Sequence, residues 1–246
     1  MKDIDAIAAL QDPVRRRLYE YVTAQGREVG RNEAAEATGV ARTLAAHHLD
    51  RLAQAGLLET GSRRLTGRSG PGAGRPAKVY TRAQGERVVS LPARDYRTAA
   101  ELLAEAAEKA GLDAGLCAAA RHRGEALRGS AAPCGSLEEA MEMLSARGYE
   151  PHLVGAGGGG GAQGVDGAQD VNGADGAEGA VAAPVVVRMR NCPFHAVAER
   201  FPPLVCGMNL ALLEGLLGTG GPVRARMDAR PGQCCVVLES SKNNSD

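Results

Sequence analysis

The feature that most constrains the fold is a pair of helices separated by a very short turn. Capping and stop signals predict a short helix over 33–38 and a longer one over 41–55, and Gly39 provides the turn between them. Two strands are predicted next, over 57–65 and 77–82. This order is typical of a winged helix-turn-helix, in which the second helix enters the major groove of DNA.

The longer helix of this pair presents polar side chains at its start. Arg42 and Thr43 lie on the first turn, where such helices meet base edges, and arginine paired with guanine is the commonest specific contact. His47 lies one turn further on the same face, although a surface histidine with no role in binding fits the pattern equally well. Three leucines are predicted to anchor the helix in the core, namely Leu44, Leu49 and Leu52. We therefore predict that this helix reads duplex DNA.

The strand pair carries a local excess of positive charge, although the whole chain is neutral with 29 basic and 29 acidic residues. Between Gly61 and Arg82 there are six basic residues and no acidic one. A basic stripe binds a polyanion through phosphate contacts, which supply affinity and salt sensitivity rather than sequence choice. The alternative is a solvated basic loop. The predicted DNA contacts of this stripe are Arg63, Arg64, Arg68, Arg75 and Lys78.

A glycine-rich stretch interrupts the second half of the chain. Residues 155–183 hold 11 glycines, four acidic residues and no Lys or Arg. Such a segment cannot bury enough apolar surface to offset its ordering entropy, so we expect a flexible insertion. The expected fold class is α+β, with an N-terminal winged helix-turn-helix domain at 1–92, a helical linker or dimerisation segment at 93–147 and a small α+β cysteine domain at 148–238.

The chain has six cysteines, and we do not expect them to form disulfides. No apolar run approaches the ~20 residues that span a bilayer, and the start of the chain lacks the apolar stretch of a secretion signal. We therefore expect a cytoplasmic protein with no membrane partner. The cytosol is reducing, so disulfides are rare there and metal or cluster ligation is the better expectation.

Three of the cysteines that follow the insertion are candidate ligands. Cys192 and Cys234 lie in turns with proline or glycine, where the backbone can bend to aim a sulfur. Cys206 lies near the beginning of a strongly predicted helix, whose dipole favours a thiolate. Three separated thiolates that meet at one point suit an iron–sulfur cluster or a zinc ion. Cys117 and Cys134 are expected to be small buried hydrophobic residues instead.

Both ends of the chain resemble bacterial regulators. The run from Val40 to Leu49 is similar to the recognition helix of ArsR-type regulators, except that Ala41 replaces the usual hydroxyl cap. The segment RSGPGAGRPAKVY and the motifs NCPFH and LVCGMN resemble the iron–sulfur-cluster-sensing repressors of the suf operon. This resemblance covers residues 8–82 and 184–238. It implies a homodimer that holds a 4Fe–4S cluster through three cysteines and represses a double-stranded DNA operator when the cluster is present. By position, these ligands are Cys192, Cys206 and Cys234.

The fourth ligand of such a cluster stays open. Cys235, His195, a carboxylate, a small thiol or water can complete the site. Neighbouring residues on a strand point to opposite faces, so we expect Cys235 to face the core if Cys234 is a ligand.

Two other functions remain as alternatives. The first is a zinc-stabilised or thiol-redox regulator with the same fold. The second is a DNA reader fused to a small-ligand or cysteine-dependent enzymatic module. A cysteine-dependent enzyme would pair His195 with Cys192 or Cys206. The sequence indicates no group that orients this histidine and no oxyanion site, so we do not expect an enzyme.

Overall fold

Two units make up the chain, Met1–Arg94 and Asp95–Asp246. The computed structural model describes residues 2–63, 76–155 and 185–240. Each unit combines helices with one small antiparallel sheet, which confirms the expected α+β fold class.

The first unit contains the predicted pair of helices and the predicted pair of strands. Its elements are α1 (Lys2–Ala9), α2 (Pro13–Gln25), β1 (Val29–Gly30), α3 (Arg31–Thr38), α4 (Arg42–Gln54), β2 (Leu58–Arg63) and β3 (Ala77–Arg82). The three strands pair antiparallel in the order β1-β3-β2. Helix α3 begins two residues earlier than predicted, because the Glu33 carboxylate accepts the backbone N–H of Gly30 and caps the helix there.

Local signals explain why α2 forms where it does. The Asp12 carboxylate accepts the backbone N–H groups of Val14 and Arg15, and Pro13 occupies the first turn. Gly26 ends the helix with φ 61°, a left-handed conformation that glycine adopts without strain.

The core of the first unit is aliphatic and is built mainly by α2 and α4. Its fully buried side chains include Leu18, Val22, Leu49, Leu52 and Tyr80. The prediction that Leu44 faces this core is wrong, since its side chain is 44% exposed. Leu44 precedes buried Ala45 by one residue, and a helix turns by about 100° per residue, so the two side chains leave α4 in different directions.

The second unit surrounds a four-stranded sheet with helices. Its elements are α5 (Tyr96–Lys109), α6 (Asp113–Arg128), α7 (Leu137–Ser145), β4 (Pro151–Val154), β5 (Val186–Met189), α8 (His195–Ala198), α9 (Pro202–Leu217), β6 (Val223–Met227) and β7 (Val236–Ser240). The strands pair antiparallel in the order β4-β5-β7-β6. The helices that the sequence assigns to a linker at 93–147 lie within this unit. Beyond Gly155, the predicted insertion lies outside the described residues.

Helices α6 and α9 approach each other unusually closely. A Cβ atom placed on Gly124 of α6 would lie 2.2 Å from the carbonyl oxygen of Leu212, and one placed on Gly215 of α9 would lie 2.2 Å from that of Arg121. Only a hydrogen at both positions lets the two backbones touch. This crossing fixes α9, the helix that carries Cys206, against its neighbour.

The core of the second unit lies between the sheet and α9. Side chains of β5 and β7 pack there with leucines of α9, including Val187, Met189, Val236, Leu213 and Leu216. The carbonyl oxygen of Met189, the last residue of β5, accepts the backbone N–H of Cys234 at 3.0 Å. The end of β5 is thereby joined to the loop that enters β7. Among the residues that the structure describes, no helix is both long and apolar enough for a membrane crossing.

Candidate DNA interface and cysteine centre

The first turns of α4 form an exposed polar face. Arg42, Thr43 and His47 all lie on this face with exposed side chains. The cap residue Ala41 makes no side-chain hydrogen bond to the helix, which agrees with the departure noted in the sequence. Sequence reasoning missed Leu44, whose exposed side chain lies beside Thr43. An apolar side chain at such a position suits contact with a thymine methyl group.

The opposite face of α4 is fixed in the core. Ala45, Leu49 and Leu52 are fully buried, and His48 is only 8% exposed. Burial lowers the pKa of His48, so its imidazole is held in the neutral form. His48 is therefore packed within the fold and is unavailable to DNA.

Lys78 holds the recognition helix to the sheet. Its ammonium lies 2.6 Å from Asp50 Oδ1, and the hydroxyl of Tyr80 donates to the same oxygen at 2.7 Å. Burial raises the pKa of Asp50, but the hydrogen bonds from Lys78 and Tyr80 outweigh it, and the pKa lies below its usual value. Burial, reinforced by Asp50, raises the pKa of Tyr80 to about 12. The three side chains therefore join α4 to β3.

The basic stripe is only partly within the described residues. Arg63 is exposed at the end of β2, with its Nε 3.6 Å from a carboxylate oxygen of Glu28. Arg64, Arg68 and Arg75 lie outside the described residues. Their contacts with DNA stay predictions, as do those of Arg63 and Lys78.

The cysteines that follow the insertion meet in two pairs. Cys192 lies in the turn between β5 and α8, and its thiol is hydrogen-bonded to that of Cys234. Cys206, on α9, forms a disulfide with Cys235, with 6.4 Å between their Cα atoms. Because Cys234 and Cys235 are consecutive, the two pairs are neighbours. Four cysteines from three chain segments are thus joined in two pairs that share the consecutive residues Cys234 and Cys235.

The Cys192–Cys234 pair is asymmetric. Hydrogen bonding to Cys234 and burial both raise the pKa of Cys192. Acceptance of that hydrogen bond lowers the pKa of Cys234 to about 7, and contacts from backbone N–H groups and Asn209 act in the same direction. Cys234 is therefore the sulfur of this pair that ionises first.

Two further polar side chains form a chain of hydrogen bonds that ends on this pair, and neither was predicted from the sequence. Asn209 of α9 is 1% exposed, and its Nδ2 donates to Cys234 Sγ at 3.4 Å. The Tyr149 hydroxyl donates to Asn209 Oδ1 at 2.5 Å. Asn209 lies three residues after Cys206, within the motif LVCGMN, so its place in that motif was the available signal.

Two expectations about the cysteines are corrected by the structure. The expectation that no cysteines form disulfides is wrong for Cys206 and Cys235. Cys235 also does not simply face the core, since its sulfur is bonded to α9. The physical reason is that Cys235 lies one residue before β7 begins, where strand alternation does not yet dictate the direction of its side chain.

The other candidate ligands lie apart from the two pairs. His195 is exposed on α8, with its Nε2 3.2 Å from Glu199 Oε1. Cys134 is buried in the core and donates to the carbonyl oxygen of Ser136, and Cys117 is half-buried on α6. Within the described ranges, no group of three or more His, Cys, Asp or Glu side chains is arranged to hold a metal ion.

The donor chemistry nevertheless fits a thiolate-bound centre once the disulfide is reduced. Iron–sulfur clusters are held by cysteine thiolates, and zinc accepts the same donors. Reduction of the Cys206–Cys235 bond leaves four thiols on three segments, two of them on consecutive residues. While the disulfide is formed, Cys206 has no thiolate and cannot be a metal ligand. When the disulfide is reduced, Cys206 can bind a metal.

One comparison with known proteins identifies the first unit. The family model described as "Helix-turn-helix domain" matches residues 10–61, from the end of α1 into β2. The searches against curated proteins and against solved structures return no match. The matched segment contains α2, α3 and α4 with the exposed polar face just described. The chain therefore carries a helix-turn-helix domain at residues 10–61, which supports the role of a DNA-binding transcriptional regulator.

Proposed function

We propose that this chain is a transcriptional repressor whose affinity for its operator is controlled by a 4Fe–4S cluster bound to the second unit. The observation that carries the proposal is the pairing of Cys192 with Cys234 and of Cys206 with Cys235, which links three chain segments through consecutive cysteines. Packing alone does not require such pairing, because single cysteines already behave as small apolar residues.

Three cysteines are the proposed ligands, Cys192, Cys206 and Cys234. Of the two protein candidates for the fourth ligand, Cys235 belongs to the same group of sulfurs and His195 is exposed on α8. A bound cluster supplies a bond network that oxidants or iron demand can dismantle. The chain's own part is to present deprotonated sulfurs, and the low pKa of Cys234 favours this.

Binding at these sulfurs joins the turn after β5, the start of α9 and the entry to β7. We propose that this constraint acts on a homodimer, in which the spacing of the two recognition helices must match half-sites roughly 34 Å apart. Helix α5 exposes Leu102 and Leu103, at 62% and 72%, and a second copy of the chain would cover such side chains. Coupling requires that the cluster bind one dimer geometry more tightly than the other.

Metal analysis tests the cluster directly. Protein purified without air is expected to be brown and to contain iron and acid-labile sulfide in equal amounts. Cys192→Ser, Cys206→Ser and Cys234→Ser should each lose the colour. Cys117→Ser is the matched control, because this half-buried cysteine lies outside the two pairs, and it should keep the colour. Colourless wild-type protein, or protein that contains zinc alone, contradicts the cluster.

The Cys206–Cys235 disulfide favours a second candidate, a thiol-redox regulator without metal. Its switching step would be oxidation of the two thiols to the disulfide by a peroxide, which accepts their two electrons and two protons. Hydrogen peroxide then becomes two molecules of water, and an organic hydroperoxide becomes an alcohol and water. The same experiment separates the candidates. Metal-free protein whose DNA affinity changes with reductant, and whose Cys235→Ser variant does not respond, supports the redox switch. Metal-free protein that ignores reductant excludes it.

A further inference from the structure

A buried chain of hydrogen bonds ends on one of the cysteine sulfurs. Tyr149 and Asn209 are 4% and 1% exposed and lie 60 residues apart in sequence. Tyr149 precedes β4, whereas Asn209 lies on α9, one turn after Cys206. Tyr149 is hydrogen-bonded to Asn209, Asn209 is hydrogen-bonded to Cys234, and apolar core residues lie around them. Burial of two polar side chains is costly unless each finds a partner.

The direction of these hydrogen bonds determines what kind of sulfur the site accepts. An asparagine amide can present either its oxygen or its NH2 group to a neighbour. The Tyr149 hydroxyl donates to Oδ1, which turns the NH2 group toward Cys234. An NH2 group offers hydrogen bonds and accepts none. It therefore matches a sulfur that has lost its proton, whether as a free thiolate or as a metal ligand, better than a thiol that must donate.

We propose that Asn209 is the outer-sphere donor of the cysteine centre and that Tyr149 is the positioning residue that sets its orientation. Asn209 stabilises Cys234 in its ligating, deprotonated form, as outer-shell partners do for metal ligands generally. The inference rests on the proposed function, because it assigns these residues to the same sulfur site.

Three variants separate the donor from its support. Asn209→Leu removes the hydrogen bond, and Asn209→Asp keeps the shape but replaces the donor with a carboxylate oxygen. Tyr149→Phe leaves the amide in place but removes the group that orients it. Each variant and the wild type are purified without air, and the rate of iron release to an excess of ferrous chelator is measured. Outer-shell substitutions typically cost 10–100-fold in metal affinity.

We expect the rate of iron release to rise from wild type through Tyr149→Phe and Asn209→Leu to Asn209→Asp, with the last two faster by about 10–100-fold. A second readout is the reduction potential of the bound cluster, which depends on hydrogen bonds to its sulfurs. Loss of the donor should lower the potential in Asn209→Leu. A side chain that only supports packing would leave it unchanged. Circular dichroism confirms that each variant is folded.

The outcomes distinguish the two proposals. Wild-type protein that binds no iron overturns the cluster and this inference with it. Wild-type protein that binds iron, with Asn209→Leu unchanged in both release rate and potential, overturns the inference and leaves the cluster in place. A faster release with an unchanged potential also overturns it, because that pattern reports loosened packing rather than a lost hydrogen bond to sulfur.

Discussion

The crossing of α6 and α9 predicts opposite effects for the same substitution at two places on one helix. A Cβ atom at Gly124 would lie 2.2 Å from the Leu212 carbonyl oxygen and 2.8 Å from the Leu216 amide nitrogen. At Gly115, also on α6, a Cβ atom would meet nothing within 4 Å. We therefore expect Gly124→Ala to destabilise the second unit and Gly115→Ala to stabilise it.

The magnitude follows from two opposing effects. Cβ atoms essentially never approach other atoms within 3.0 Å, so Gly124→Ala must separate the helices by roughly 1 Å, which forfeits a quarter to a half of the dispersion energy of each contact. Overpacking against rigid backbone costs up to about 3 kcal/mol. Alanine regains about 1 kcal/mol of helix propensity. The expected net change is a loss of about 2 kcal/mol for Gly124→Ala and a gain of up to ~1 kcal/mol for Gly115→Ala.

Urea and thermal unfolding followed by circular dichroism measure both effects on the full chain. At roughly 2–4 °C per kcal/mol for a unit of this size, Gly124→Ala should lower the melting temperature of the second unit by about 4–8 °C. Gly115→Ala controls for the loss of glycine flexibility in the unfolded chain. The reasoning is refuted if Gly124→Ala is as stable as the wild type, or if Gly115→Ala is the more damaging change.

Three other predictions concern the interface, an ion pair and the disulfide. Arg42→Ala should weaken operator binding by about 1–3 kcal/mol and relax base preference at one position. The control is Arg123→Ala, at an exposed arginine of α6, which should change neither affinity nor base preference. Fluorescence anisotropy with labelled duplexes measures the affinity of each variant. A hydrogen bond from Arg27 lowers the pKa of Glu33 below its ordinary value of 4.5. The ionised Glu33 therefore contributes its full stabilisation of the first unit above that pH. This stabilisation is lost as the pH falls through the lower pKa of the folded state, so Glu33→Gln should make the free energy of unfolding less sensitive to acid below about pH 4.5. Cys235→Ser opens a loop with a sequence separation of 29, and metal-free protein should lose about 3–4 kcal/mol in urea unfolding without reductant and nothing when reductant is present.

Elements set by local signals were predictable from the sequence. Helix α2 begins and ends at its cap residues, Asp12 and Gly26, because capping depends on atoms only a few positions away. The helices on either side of Gly39 were predictable for the same reason. Helix α1 and the two-residue strand β1 were not predicted. Such short elements owe their stability to tertiary packing rather than to their own residues.

The candidate site was predictable in its chemistry but not in its pairings. Turn context indicated Cys192 and Cys234, and the beginning of a helix indicated Cys206, yet nothing local indicates that Cys206 bonds to Cys235, 29 residues away. The hydrogen bonds of Asn209 likewise depend on how α9 packs against Tyr149 and Cys234, which are distant in sequence. Residue spacing predicts which side chains share a face of one helix or strand, whereas these contacts form only when separate elements pack together.

The most direct test of the account is the affinity of one protein for one operator in two states. An operator is selected from random duplexes by the protein purified without air, and its affinity is measured before and after the cluster is removed with a chelator. The account predicts tight binding with the cluster and at least tenfold weaker binding without it, with the Cys192→Ser protein fixed in the weak state. Equal affinity in both states would show that the cysteine centre does not control the affinity for DNA.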